Sequence, residues 1–393
     1  MEHIIWCIGH ELVLSDIVKG ENCYLYDSKG NRYIDLESGV WCTSIGHSHP
    51  RINHVIKEQI ERISHTGYCY ANKIIEESAI EILNTLGFEK GKCVFLCSGS
   101  EAVEFAVRVA QNISEKPLLL TMSDSYFGAY GSASKRMESE WYSFDWLKCS
   151  SCPYFKDCNP ECSRLLEIPF EKIGGFLFEP GSSSGLVRFP PQKLIKNITQ
   201  KIKSDDGLLI INEVTTGIGR TGEWYGYQHY KLQPDIVALG KGLGNGYPVS
   251  VTAITKNVSD RLKSKSFKYA QSHQNDPLGA AIAREVIRVI QEEDLIERSK
   301  KIGNYFINEL KQLGKFYNII KEVRGRGLMI AIELNNNHHN SPAALIQKEL
   351  LNKGFIITHR PGFNVLRIDP PLTIEEKDIE SFINSLEQVL KSY

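Results

Sequence analysis

The chain has no surplus of charge of either sign: 46 Lys and Arg stand against 47 Asp and Glu in 393 residues, a formal net charge of -1. Without a basic excess it has little with which to neutralise a phosphate backbone or an anionic bilayer, which excludes nucleic acid and membrane surfaces as main partners. No apolar run approaches the roughly 20 residues needed to span a bilayer. The start, Met1-Glu2-His3-Ile4-Ile5-Trp6, also lacks the basic segment and apolar core of a signal peptide. A soluble cytoplasmic protein is expected. Internal repeats are missing too.

What the sequence does contain is enough apolar material, 42% of its residues, for one large and one smaller domain around a substantial core. It also contains ten cysteines, four of them crowded into Cys149-Ser-Ser-Cys152-Pro-Tyr-Phe-Lys-Asp-Cys158-Asn-Pro-Glu-Cys162. A disulfide framework does not suit a reducing compartment, and the spacing C-x2-C-x5-C-x3-C points to metal instead. Cys149, Cys152, Cys158 and Cys162 are therefore candidate ligands of a structural zinc ion or an iron–sulfur cluster, the two left open.

The rest of the chain is organised around Ala238-Leu239-Gly240-Lys241-Gly242-Leu243-Gly244-Asn245-Gly246, one lysine among four glycines after the apolar run Ile236-Val237-Ala238-Leu239. A lysine at the end of a buried strand, with close-approaching backbone on both sides, can be held neutral and nucleophilic, as a Schiff-base lysine must be.

Short apolar strands ending in polar residues recur upstream. Cys93-Val94-Phe95-Leu96-Cys97 runs into Ser98-Gly99-Ser100-Glu101, where a glycine-containing turn opens a helix and offers free N–H groups and hydroxyls to a phosphate. Leu118–Met122 leads to Ser125-Tyr126-Phe127-Gly128, whose aromatics can cover a flat ring. Gly175–Phe178 ends at Glu179, and Gly207–Ile211 ends at Asn212-Glu213. Helical segments of about a dozen residues lie between these strands, the alternation of a doubly wound parallel sheet that binds ligands at the carboxyl ends of its strands. Before this region a hairpin is expected at Cys23–Asp35. After it come one long helical pattern from about 280 to 311 and the mixed strands and helices of a smaller α+β unit.

Ser98-Gly99-Ser100-Glu101-Ala102, Gly217-Ile218-Gly219-Arg220-Thr221-Gly222, Gly240-Lys241-Gly242-Leu243-Gly244 and Arg324-Gly325-Arg326-Gly327-Leu328, taken in that order, resemble the class III, fold-type I pyridoxal-phosphate-dependent aminotransferases. The likeness runs from Cys23 to Thr373. It implies a large cofactor-binding domain at 46–280, with the cysteine segment inserted near 145–165, and a small α+β domain built from 1–45 and 281–393. It also implies that Lys241 is the Schiff-base lysine and that Ser98, Gly99 and Ser100 receive the phosphate. Tyr126, with Phe127 beside it, would stack on the pyridine ring, and Glu179, Asn212 and Thr215 would line the ring. Ser272 would reach the phosphate of a neighbouring subunit in a homodimer with shared sites. Arg367 falls at the arginine that binds a substrate carboxylate, a role suited to its planar fork of donors. Trp41, Cys42 and Tyr68 fall at the pocket walls. The implied activity is transfer of an amino group between an amino acid and a 2-oxo acid.

Several residues depart from that pattern. The family's Asp-Glu pair is Asn212-Glu213 here, and asparagine can hydrogen-bond the pyridine nitrogen without supplying the charge that keeps it protonated. Glu213 is a poor substitute, because successive strand side chains point to opposite faces. The usual glutamine two residues after the pair is Thr215. The switch glutamate of ω-amine enzymes falls at Ser184, and an arginine of ornithine-type enzymes falls at Ala129. Asn212 keeps a second reading open, racemisation or epimerisation of an α-amino acid on the same scaffold.

Overall fold

A computed structural model describes residues 3–7, 12–67, 69–181, 184–335 and 341–393; Tyr68 therefore lies outside the described residues. The main sheet has seven strands, in spatial order Lys92–Leu96, Ser250–Ile254, Ile236–Leu239, Leu208–Asn212, Ile173–Phe178, Leu118–Met122 and Trp141–Phe144. All run parallel except Ser250–Ile254, which is antiparallel to both neighbours. The molecule is thus α/β with a mainly parallel sheet, as the strand and helix alternation implied.

Alternation along the strands explains how the sheet is covered on both faces. Phe176, Phe178, Leu209 and Ile211 point into one apolar cluster together with Leu194, Ile195 and Ile198 of the helix Gln192–Ser204. Leu177, Leu208 and Ile210 point into the other, with Ala102, Phe105 and Ala106 of the helix Gly99–Ile113. Each fully buried Leu, Ile or Phe contributes about 1.5–3 kcal/mol, so two-sided burial makes this sheet the rigid platform of the molecule. The carboxyl ends of its parallel strands share one edge, where Glu179 follows directly on its strand, Asn212 ends its own and Lys241 comes one glycine after Leu239.

Two smaller sheets flank this platform. The expected hairpin pairs Tyr24–Asp27 with Arg32–Asp35. Its turn is closed by the Asp27 carboxylate, which accepts the N–H groups of Lys29 at 3.0 Å and Asn31 at 2.8 Å. Phe355–Ile356 joins the same sheet from the far end of the chain. The third sheet is antiparallel, and its strand Val365–Ile368 carries Arg367.

The expected single helical pattern over 280–311 is two helices, Pro277–Glu292 and Leu295–Phe316. They part at Asp294, whose φ of 48° is left-handed, a conformation that ends a helix and that a short polar side chain tolerates. The strand Trp141–Phe144 was not legible in the apolar pattern, because at this sheet edge only Trp141 and Phe144 are buried. Among the described residues, no helix is long and apolar enough to cross a membrane.

Candidate active site

Lys241 opens a short 3-10 turn, Lys241–Gly244, with a left-handed φ of 47°. That conformation is unfavourable for a side chain with a Cβ and persists only where the surroundings impose it. They do so here by close backbone approach: a Cβ on Gly240 would lie 3.4 Å from the Cα of Gly99, and one on Gly99 would lie 2.5 Å from Val214 Cγ1. The lysine turn and the Ser98–Gly99 turn therefore touch backbone to backbone. Lys241 Nζ donates to Thr215 Oγ1 at 3.2 Å and stands 4.4 Å from the centroid of the Trp41 ring. Burial lowers its pKa to about 8, since the ammonium form is the one that loses hydration.

Lys241 lines a cavity of about 150 Å³ together with Gly99, Ser100, Tyr126, Asn212 and Thr215. Ser100 lies in the first turn of the helix Gly99–Ile113, and its hydroxyl accepts the Ala129 N–H at 3.0 Å. Ser98 acts differently. Its hydroxyl accepts the Glu101 N–H at 3.3 Å, and the Glu101 carboxylate returns the bond as a capping box. It caps the helix rather than lining the cavity. Tyr126 is half exposed, while Phe127 is buried beneath the Arg136 guanidinium, 5.6 Å from its ring. Buried Glu179 accepts the Tyr126 N–H at 3.2 Å and so fixes the aromatic loop from below.

The Asn212 amide is oriented by backbone at both ends. Its Nδ2 donates to the Tyr126 carbonyl at 3.0 Å, and its Oδ1 accepts the Val214 N–H at 3.1 Å. Glu213 turns to the other side of the strand, where it accepts from Thr216 Oγ1 at 2.7 Å and from the N–H groups of Gly226 at 2.9 Å and Tyr227 at 2.8 Å. It is wholly buried, which raises its pKa to about 7. It braces the glycine-rich loop after the strand and does not face the cavity.

On the third sheet, Arg367 is only 3% exposed and lies 3.7 Å from the centroid of the Trp41 ring. Its guanidinium is already paired, with Asp369 at 2.6 Å and Glu37 at 3.3 Å. The Asp369 contact is an ion pair off the line of a straight hydrogen bond, since neither Arg367 Nε nor Asp369 Oδ2 meets hydrogen-bond geometry. The sequence pattern missed Arg360. Its Nε is shut off from solvent and has no hydrogen-bond partner among the described residues, and its charge is felt by both Arg367 and Tyr126. A Cβ on Gly185 would lie 2.3 Å from Arg360 Cδ, so glycine at 185 is what lets this arginine lie against the loop. The only signal available was an arginine seven residues before Arg367, directly after the strand Thr358–His359.

Cys42 is half buried and close enough to Lys241 for their charges to interact. Ser272 is exposed and does not line the cavity of its own chain. Cys149, Cys152, Cys158 and Cys162 line a separate cavity, not at the single-ion spacing that a zinc site requires.

The chain matches the model of the family described as aminotransferase class III over residues 8–390. It belongs to that family. The class III aminotransferase is 32% identical over 381 residues to an acetylornithine aminotransferase of Aquifex aeolicus, covering 95% of this chain and 96% of that one. It is 29% identical to a leucine/methionine racemase of Thermococcus litoralis, covering 95% of this chain and 90% of that one. Its fold superimposes on the crystal structure of an S-selective transaminase from Arthrobacter sp. with a TM-score of 0.89, at 25% identity over 99% of this chain and 95% of that one. Like its family, the enzyme uses pyridoxal phosphate and transfers an amino group between an amino acid and a 2-oxo acid. The residues present fit that cofactor: a buried amine of lowered pKa, a cradle that Gly99 and Gly128 keep open, an aromatic over the cavity and an amide at its floor.

Proposed function

We propose that Lys241 holds the cofactor covalently and then moves the substrate proton, and that Arg360 and Arg367 together receive the substrate carboxylate. The observation that carries this reading is the Lys241 amine, buried, at 3.2 Å from Thr215 Oγ1, in the cavity that Ser100 and Asn212 also line. The cofactor supplies an electron sink for the carbon that bears the amino group. The remaining work falls to this chain. Helix-terminal N–H groups and the Ser100 hydroxyl hold the phosphate, and Tyr126 covers the ring. Lys241 Nζ would take the proton from the substrate Cα and deliver it to the cofactor carbon that bears the amino group, with Thr215 Oγ1 accepting from the protonated amine and so steering it. Trp41, beneath both Lys241 and Arg367, keeps water from that path. Arg360 has the unspent hydrogen-bonding capacity that a carboxylate needs, while Arg367 adds charge from a paired, fixed position.

A homodimer is part of the proposal. Ser272 is exposed, as are Ile60, Ile63 and Tyr70, and a second copy would cover them and bring Ser272 to its partner's phosphate. Light scattering should give twice the 44.5 kDa chain mass. The division into a cofactor-binding domain at 46–280 and a small domain from 1–45 with 281–393 is proposed in turn, supported by the shared sheet of the hairpin and Phe355–Ile356.

A second reading is racemisation of an α-amino acid. Asn212 favours it, as does the likeness to the Thermococcus litoralis racemase. One experiment separates the two: the holoenzyme is given single L- and D-amino acids with a 2-oxo acid. A new amino acid formed from the acceptor supports transamination, and scrambled stereochemistry with no oxo acid from the donor overturns it in favour of racemisation.

A further inference from the structure

The cysteine insert lies outside the reaction described above, yet it is built. Its four thiols, Cys149, Cys152, Cys158 and Cys162, line one cavity of about 210 Å³ and form no disulfide. Backbone turns set their directions: Cys149 O accepts the Cys152 N–H at 2.9 Å, and Cys152 O accepts the Phe155 N–H at 3.0 Å. The insert is also docked. Asn197 Nδ2 donates to Cys158 O at 2.9 Å, Lys193 Nζ pairs with Asp157 at 2.5 Å, and Leu194 of the same helix forms a wall of the cavity.

Spacing decides what such a cavity takes. Four thiolates around one zinc ion, each about 2.3 Å from the metal, stand about 3.8 Å from one another. These thiols do not: among the described residues, the group whose ligand atoms lie mutually within 4.8 Å is His65, His273 and Asp276, not the cysteines. Thiolates that each bind their own iron of a polynuclear cluster stand farther apart and leave its volume free between them. We propose that the four cysteines hold an iron–sulfur cluster, with Arg164 at the cavity wall offsetting part of the thiolate charge.

The site connects mechanically to the cofactor loop. Phe155, between the second and third cysteines, stacks on Trp146 with ring centroids 6.2 Å apart and 8° between planes. Trp146 Nε1 donates to Asp124 Oδ1 at 2.8 Å, two residues before Tyr126. The insert thus braces the segment that leads to Tyr126.

The test is iron, zinc and acid-labile sulfide analysis of holoenzyme purified anaerobically, read independently of activity. Iron and sulfide in equal amounts, at about four per chain, and their loss in Cys158→Ser with pyridoxal phosphate retained, are the expected results. One zinc per chain without sulfide, neither metal, or iron that survives Cys158→Ser would each overturn the proposal. Should Cys158→Ser fail to fold, the metal and sulfide content of the unaltered enzyme still decides.

Discussion

Arg367 and Asp369 form an ion pair at 2.6 Å in which neither side chain exceeds 3% exposure. Burial raises the Asp369 pKa to about 6, against the opposing pull of Arg367 and Arg220. Arg220 is itself buried and donates to the carbonyl of Leu328 at 3.1 Å and to that of Pro370. Removing one member of a buried pair leaves an uncompensated charge, at a cost of about 3–5 kcal/mol. Arg367→Ala should therefore lower the melting temperature as well as activity. Among the described residues Arg360 forms no ion pair of this kind and its Nε has no partner, so Arg360→Ala should keep the melting temperature and raise the KM for the amino acid by about tenfold to a hundredfold, the equivalent of one charge-assisted hydrogen bond. Thermal melts and steady-state kinetics on the two variants check this, and a substrate KM unchanged in Arg360→Ala would remove Arg360 from the site.

The amine of Lys241 should set the pH dependence of cofactor uptake. Only the deprotonated form attacks, and burial lowers its pKa to about 8. The rate of covalent attachment to cofactor-free enzyme should rise with pH, reach half its maximum near pH 8 and level off above that. An exposed lysine would still be climbing towards pH 10. Borohydride trapping at a series of pH values, with the labelled peptide located by mass spectrometry, reports both the profile and the residue.

Gly128 is held at φ 113°, and a Cβ there would fall 2.4 Å from Ser100 Oγ. Gly128→Ala should strain the loop and push away the hydroxyl proposed to hold the phosphate. Cofactor retention through dialysis should fall at least tenfold while the fold, read by circular dichroism, is unchanged. Retention equal to that of the unaltered enzyme would mean that the Ser100 hydroxyl does not bind phosphate.

Much of this was legible in the sequence because strands buried on both faces read as uninterrupted apolar runs. Ile236–Leu239 and Leu208–Ile211 could be placed from those runs, and Lys241 and Asn212 followed as the first polar groups beyond them. Two local features were settled only by the fold: Ser98 reads as a phosphate donor until Glu101 is seen to engage it, and the two helices after Pro277 read as one until Asp294 is seen to turn left-handed. Residues whose roles depend on contacts distant in the chain were not legible. Arg367 reads as a free carboxylate receptor. Its partners Glu37 and Asp369, 330 residues before it and two after, are visible only once the hairpin and the last sheet are brought together. Arg360 was missed for the same reason, since an unpartnered Nε is a property of the packed site alone.

Asn212 gives the sharpest test of the chemistry. Its Nδ2 donates to the Tyr126 carbonyl at 3.0 Å, so Asn212→Asp would set a carboxylate oxygen against a carbonyl oxygen at that place. The repulsion favours rotation of the carboxylate towards the pyridine nitrogen, where its charge would hold a proton and deepen the electron sink. If that charge limits the reaction, Asn212→Asp should raise the rate of oxo acid formation from the donor by about ten- to a hundredfold, the equivalent of about 1.4–3 kcal/mol of transition-state stabilisation. Exchange of the substrate Cα hydrogen with deuterated water, followed alongside, separates proton removal from the later steps. An equal rise in both places the limitation at proton removal. Exchange that rises while oxo acid formation stays flat would show that the electron sink does not limit transamination and that a later step does.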